Sequence, residues 1–142
     1  MIALLDASLL IALFDGAHIH HQEAHRWFAK HRSQGWATCP LTQNACIRII
    51  SQPTYPGRLP IGEIARRLRQ ATSAPDHYFW PDSISLCDET LFAYDQILTA
   101  KHLTDLYLLA LAVKHKARLV TFDQGITMSA VREVKSEHLL VL

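Results

Sequence analysis

Short apolar runs alternate with helix-like segments along this whole sequence, and two of the runs stop at an aspartate. Residues 2–5 (IALL) end at Asp6, residues 36–39 are stopped by Pro40, and residues 118–122 end at Asp123. Residues 77–80 read as a further short strand and residues 139–142 as the last one. Apolar runs this brief, without polar alternation, suit strands buried on both faces. Strands that alternate with helices predict a parallel sheet covered by helices on both sides, with right-handed crossovers.

The helical segments carry their own punctuation. Residues 7–14, with Ser8 among the first, close at Asp15-Gly16. Ala24, Trp27, Phe28 and His31 recur at helical spacing until Gly35. Thr42 is read as the cap of a helix reaching about Ser51, before a loop rich in proline. Ile61, Ile64, Ala65, Leu68 and Thr72 trace one face of the next helix, with Arg66, Arg67 and Arg69 opposite. Asp88 is expected to open a helix towards Leu98, and Thr104 to cap an almost wholly apolar helix over residues 105–116.

A length of 142 residues predicts one domain spanning residues 1–142. Hydrophobic residues at 49% and charged residues at 19% allow a sizeable core and argue against disorder. A net charge of +1 is too small to indicate nucleic acid by itself, so any RNA binding must come from local patches. Cys39, Cys46 and Cys87 are odd in number and far apart, which suggests no disulfide framework and a reduced, cytoplasmic protein. The apolar N-terminal stretch is interrupted by Asp6 and lacks a basic leader, so it reads as strand and helix rather than signal peptide or membrane span.

Asp6 and Asp123 follow strands, and the carboxyl ends of strands in an open parallel sheet face one ligand-binding crevice. Asp105 opens a helix. If the first strand neighbours the strand at 118–122, the three converge. Gathered carboxylates repel one another unless a cation neutralises them, and oxygen ligands suit Mg²⁺ or Mn²⁺. Such an ion polarises a phosphodiester and acidifies a water, which points to phosphodiester hydrolysis. Ordinary structural roles stay open: the helix dipole alone favours Asp105, and strand-closing turns favour Asp6 and Asp123.

At these residues the sequence resembles the PIN-domain family, specifically the VapC-like ribonuclease toxins of bacterial toxin–antitoxin pairs. The resemblance is carried by IALLDASLLIALF, PLTQNACIRIISQP and HLTDLYLLALAVKHKARLVTFDQGI. It implies a three-layer α/β/α sandwich and an acidic Mg²⁺ or Mn²⁺ centre that cuts RNA. Asp6, Asp105 and Asp123 match three of its acids, with Ser8 and Thr121 as supporting polar residues. It also implies a homodimer and a cognate antitoxin that covers the catalytic groove. Many PIN domains carry a glutamate where this chain reads Thr42-Gln43-Asn44-Ala45. That departure resembles a toxin subgroup with a following arginine, here Arg48. Asn44 then offers only an amide oxygen, Arg48 a phosphate contact, and the centre holds one metal rather than two unless Asp82 or Glu89 compensates.

Other features are weaker. His21 and His25 have the spacing of a helical metal pair within a cluster that includes His18 and His20, but no carboxylate or cysteine completes a familiar zinc signature. Arg66, Arg67 and Arg69 are first a solvated face, and second a contact for RNA phosphate or an acidic antitoxin segment. Trp27, Phe28 and Trp36 suit the core, whereas Tyr55, Tyr78 and Trp80 would stack on bases if exposed. A receiver-like signalling domain would need an acidic pair after the first strand and a lysine suitably placed after a late strand, but Asp6 has no adjacent acid and no lysine stands at such a place. A catalytically inactive PIN-fold binding protein is the alternative that the absent glutamate leaves open.

Overall fold

Alternating side chains within the first strand account for the layering. In β1 (Ala3–Leu5), Leu4 enters one core while Ala3 and Leu5 enter another on the opposite face, and all three are buried. The computed structural model describes residues 1–142. Its remaining strands are β2 (Trp36–Thr38), β3 (His77–Phe79), β4 (Arg118–Thr121) and β5 (Leu139–Val141). All neighbours pair parallel, in the order β3-β2-β1-β4-β5. The helices are α1 (Ala7–Phe14), α2 (His21–His31), α3 (Pro40–Ile50), α4 (Ile61–Thr72) and α5 (Leu103–Lys114).

One core joins Leu5, Trp36 and Val120 to α1, Ala24 of α2, Cys46 and Ile50 of α3, and Ile64 of α4. The other joins Leu4, Ala37 and Leu119 to α5. The result is the expected three-layer α/β/α arrangement. Residues 106–112 are all buried because α5 is covered on its outer side as well, by Trp80, Phe92, Ala130 and Val131 from the connecting segments. This explains why the helix is apolar all round.

Local readings needed correction at three places. Asp88 does not open a helix. Its carboxylate accepts hydrogen bonds from the Thr90 amide (2.9 Å) and hydroxyl (2.6 Å), which fixes a turn instead. Phe92 then bridges antiparallel to Val131, and only Tyr94–Gln96 form a short 3-10 turn. Thr42 is not the cap of α3 but its third residue. The helix begins at Pro40 after Cys39, and the Thr42 hydroxyl accepts from the Cys39 amide at 3.0 Å. Thr104 likewise lies inside α5, which begins at Leu103 after His102, so Asp105 is its third residue.

Candidate metal centre

β1 lies at the centre of the sheet, with β2 on one side and β4 on the other, so the chain reverses direction of winding at the β1/β4 boundary. Register does the rest: Leu5 lies opposite Val120, which places Asp6 beside Thr121 at the carboxyl ends. The Asp6 amide donates to the Val120 carbonyl at 3.0 Å, holding the residue in the sheet as it turns into α1.

Asp6 is buried, 6% exposed, and its carboxylate is held from several directions. Oδ1 accepts from the Ala7 amide at 2.6 Å. Oδ2 accepts from the Thr121 hydroxyl at 2.6 Å and from Ser8 Oγ at 3.2 Å. Burial raises the pKa of Asp6, and these hydrogen bonds only partly oppose it. Thr121 in turn accepts from the Asp123 amide at 3.0 Å, so a single hydroxyl fixes both strand-end aspartates.

Asp105 comes from the first turn of α5 and Asp123 from the loop after β4. Burial, then the charges of Asp6 and Asp123, raise the Asp105 pKa to about 6. Asp123 is held low instead, chiefly because the Gly125 amide donates to its Oδ1 at 2.8 Å. Between Asp105 and Asp123 stands His102, whose Nδ1 is 3.5 Å from an oxygen of each. One donor atom from each of His102, Asp105 and Asp123 lies within 4.8 Å of the others. No lysine or arginine forms an ion pair with Asp6, Asp105 or Asp123. Carboxylates with no lysine or arginine paired to them at the strand ends are a donor set that fits a hard divalent ion.

The structure does not bring every candidate residue into this cluster: Asp6 lies outside the group of His102, Asp105 and Asp123 and acts on it through its charge. Asn44 and Arg48 are exposed on α3, and neither side chain hydrogen bonds or ion pairs with the aspartates. Asp82 is exposed beside Leu41, Thr104 and Tyr107, and Glu89 is exposed in the loop that follows. The histidine group has structural employment: His21 Nδ1 donates to the Ala12 carbonyl at 2.7 Å and His25 Nε2 to Leu13 at 3.0 Å, closing the end of α1. Arg66 and Arg67 both pair with Glu63. Trp80 is buried and stacked on His115, whereas Tyr78 is 48% exposed. His102 is not among the residues that the sequence motifs single out. Its signal was an imidazole three residues before an aspartate at a helix start, a spacing that puts both on one side of the first turn.

Acids gathered at the strand ends of a parallel α/β/α sandwich suit a metal-binding domain, and the comparisons identify its family. The PIN domain model matches residues 3–133. Ribonuclease VapC44 of Mycobacterium tuberculosis is 41% identical over 142 residues, all of both chains. Ribonuclease VapC39 of the same organism is 40% identical over 131 residues, covering 92% of this chain and 94% of that one. The crystal structure of M. tuberculosis VapC20, described as a sarcin-ricin loop cleaving toxin, superposes with a TM-score of 0.64 over 93% of this chain and 98% of that one. At 13% identity that likeness concerns the fold alone. The chain belongs to the PIN-domain family, in its VapC branch.

Proposed function

We propose that the protein is a metal-dependent endoribonuclease toxin, with Asp6, Asp105 and Asp123 as the acids of a Mg²⁺ or Mn²⁺ centre. The observation that carries this reading is that Asp105 and Asp123 lie together with His102 at the carboxyl end of the sheet, without a lysine or arginine partner and within reach of the charge of Asp6. Kinship with proteins named ribonucleases supplies the reaction class. When bound, the cation supplies polarisation of the scissile phosphate and acidification of a water.

The protein's own groups do the positioning. Thr121 and Ser8 hold Asp6 Oδ2 so that its charge stays fixed at the crevice floor. The Gly125 amide orients Asp123, and the first turn of α5 presents Asp105 with the helix dipole favouring its anionic form. Arg48 and Asn44 are exposed on the helix after β2, whose carboxyl end flanks β1. We assign them to contacts with substrate phosphate and its attendant water. No helix is long and apolar enough to cross a membrane. The VapC kinship further supports a cytoplasmic homodimer that acts on RNA and is neutralised by a cognate antitoxin.

Cleavage of a mixed RNA pool by purified, antitoxin-free protein tests the reading, with Mg²⁺, Mn²⁺ or EDTA and beside Asp6→Asn. Cleavage that requires metal and disappears in the variant is expected. A folded protein that binds its partner but cuts no RNA under any metal would replace the enzyme with the binding-only alternative.

A further inference from the structure

We infer that His102 is a ligand of this centre, and that its nitrogen tilts the site towards Mn²⁺ over Mg²⁺; the inference rests on the nuclease reading above. The first argument is distance. At 3.5 Å from both Asp105 and Asp123, Nδ1 is too far for a good hydrogen bond to either. Donors around one octahedral cation, with bonds of about 2.1 Å, lie about 3.0 Å apart at adjacent corners. His102 therefore needs to approach each carboxylate by only about half an ångström for the donors to share an ion, and all three donor atoms already lie within 4.8 Å of one another.

The second argument is that the ring's only hydrogen bond is the long one, 3.5 Å, to Asp105 Oδ2. His102 is the N-cap residue of α5, yet its side chain makes no capping hydrogen bond. It is nevertheless held largely out of solvent, 17% exposed, over the two carboxylates.

The third argument comes from Gly125. A Cβ there would lie 2.8 Å from Cε1 and 2.9 Å from Nε2 of His102. The backbone does not demand glycine at this position, because the positive-φ glycines are Gly35 and Gly57. The missing side chain leaves clearance for the imidazole. Thus the loop after β4 positions Asp123, through the Gly125 amide, and also seats the ring.

The consequence for metal choice follows from donor chemistry. Mg²⁺ takes oxygen ligands and keeps its waters, whereas first-row transition ions accept imidazole readily. A nitrogen donor beside two carboxylates should strengthen Mn²⁺ binding and do little for Mg²⁺.

The test is metal binding rather than cleavage. Mn²⁺ is titrated by EPR and Mg²⁺ by calorimetry into the folded full-length protein and its His102→Ala, His102→Gln, Gly125→Ala and Asp105→Asn variants, with circular dichroism confirming the fold. His102→Ala should weaken Mn²⁺ binding about tenfold or more and Mg²⁺ binding less than about threefold. Pulsed EPR of the Mn²⁺-loaded wild type should show coupling to a directly bound nitrogen, lost in both His102 variants. Gly125→Ala should weaken that coupling while every donor remains in the chain. Mn²⁺ that binds, depends on Asp105, shows no nitrogen coupling and ignores His102→Ala would overturn this inference and leave the nuclease reading standing. A wild type that binds neither ion at millimolar concentration would overturn both.

Discussion

The two ends of the sheet treat their carboxylates in opposite ways. At the amino end, Asp76 meets Arg32 through two hydrogen bonds of 2.6 and 3.0 Å and accepts from the Trp36 indole at 3.0 Å, and its pKa falls to about 2. At the carboxyl end, Asp105 and Asp123 flank a histidine within reach of the charge of Asp6, and the Asp105 pKa climbs to about 6. The same residue type is a fastening in one place and a strain in the other. What separates them is the presence of a guanidinium. In the proposed metal centre the absence of a paired guanidinium leaves room for a cation, and the fold tolerates local repulsion there.

The largest expected effect follows from removing one of the crowded acids. Asp105→Asn should lower RNA cleavage about a hundredfold or more, given that even outer-shell changes at metal sites reach that range. The same variant should raise the stability of the metal-free protein by roughly 1–3 kcal/mol, since a carboxylate held near pH 6 is strained at neutrality. Paired cleavage assays and denaturant titrations in EDTA measure both. An Asp105→Asn variant that loses stability along with activity would mean that the carboxyl end is fastened like the amino end.

At the opposite end the signs reverse. Asp76→Ala should cost about 1–3 kcal/mol, because it strands the indole N–H of Trp36, a residue only 3% exposed. Metal-dependent cleavage per folded molecule should stay at the wild-type level. A fall in specific activity would show that the two ends are coupled through β2.

Much of this contrast could be anticipated from the chain. The apolar runs ending at Asp6 and Asp123 are strong signals because a buried strand has no other place to put a charge than its end. Strand order was not legible: nothing in residues 2–5 or 118–122 says that they pair, and pairing is what makes the acids converge. The stretch from Asp88 towards Leu98 was misread because a side-chain turn at Asp88 and a bridge from Phe92 to Val131, both invisible to helical periodicity, override local propensity. The spacing of His102 and Asp105 is a weak signal for a related reason, since Asp123 and Gly125, which complete its surroundings, come from a distant loop.

The pH dependence should separate the two ends again. The unfolded value for aspartate is about 3.9. Asp105, with its folded pKa raised to about 6, contributes stability that is full below about 4 and lost as pH rises through 6. Asp76, lowered to about 2, contributes stability that is full above about 4 and lost as pH falls through 2. Thermal melts in EDTA should therefore show metal-free wild type gaining on Asp105→Asn as pH drops from about 7 to 4. Below that, it should lose ground to Asp76→Asn. Comparison with each variant cancels His77 and His115, whose burial lowers their pKa in every form. Parallel curves for wild type and Asp105→Asn would remove the strain assigned to the carboxyl end.

The smallest effect should come from a third carboxylate that matches Asp76 in pKa but not in setting. Glu63 is also lowered to about 2, by hydrogen bonds first from Arg66 and then from Arg67 at 2.9 to 3.2 Å. Yet all three side chains stand on the outer face of α4, where water and salt screen the attraction and no buried donor depends on it. Glu63→Gln should leave the thermal midpoint at physiological salt indistinguishable from wild type, while Asp76→Ala lowers it. Equal losses would show that the guanidinium contact by itself stabilises Asp76. Unequal losses would place the difference in the Trp36 indole, which at the amino end makes the carboxylate indispensable.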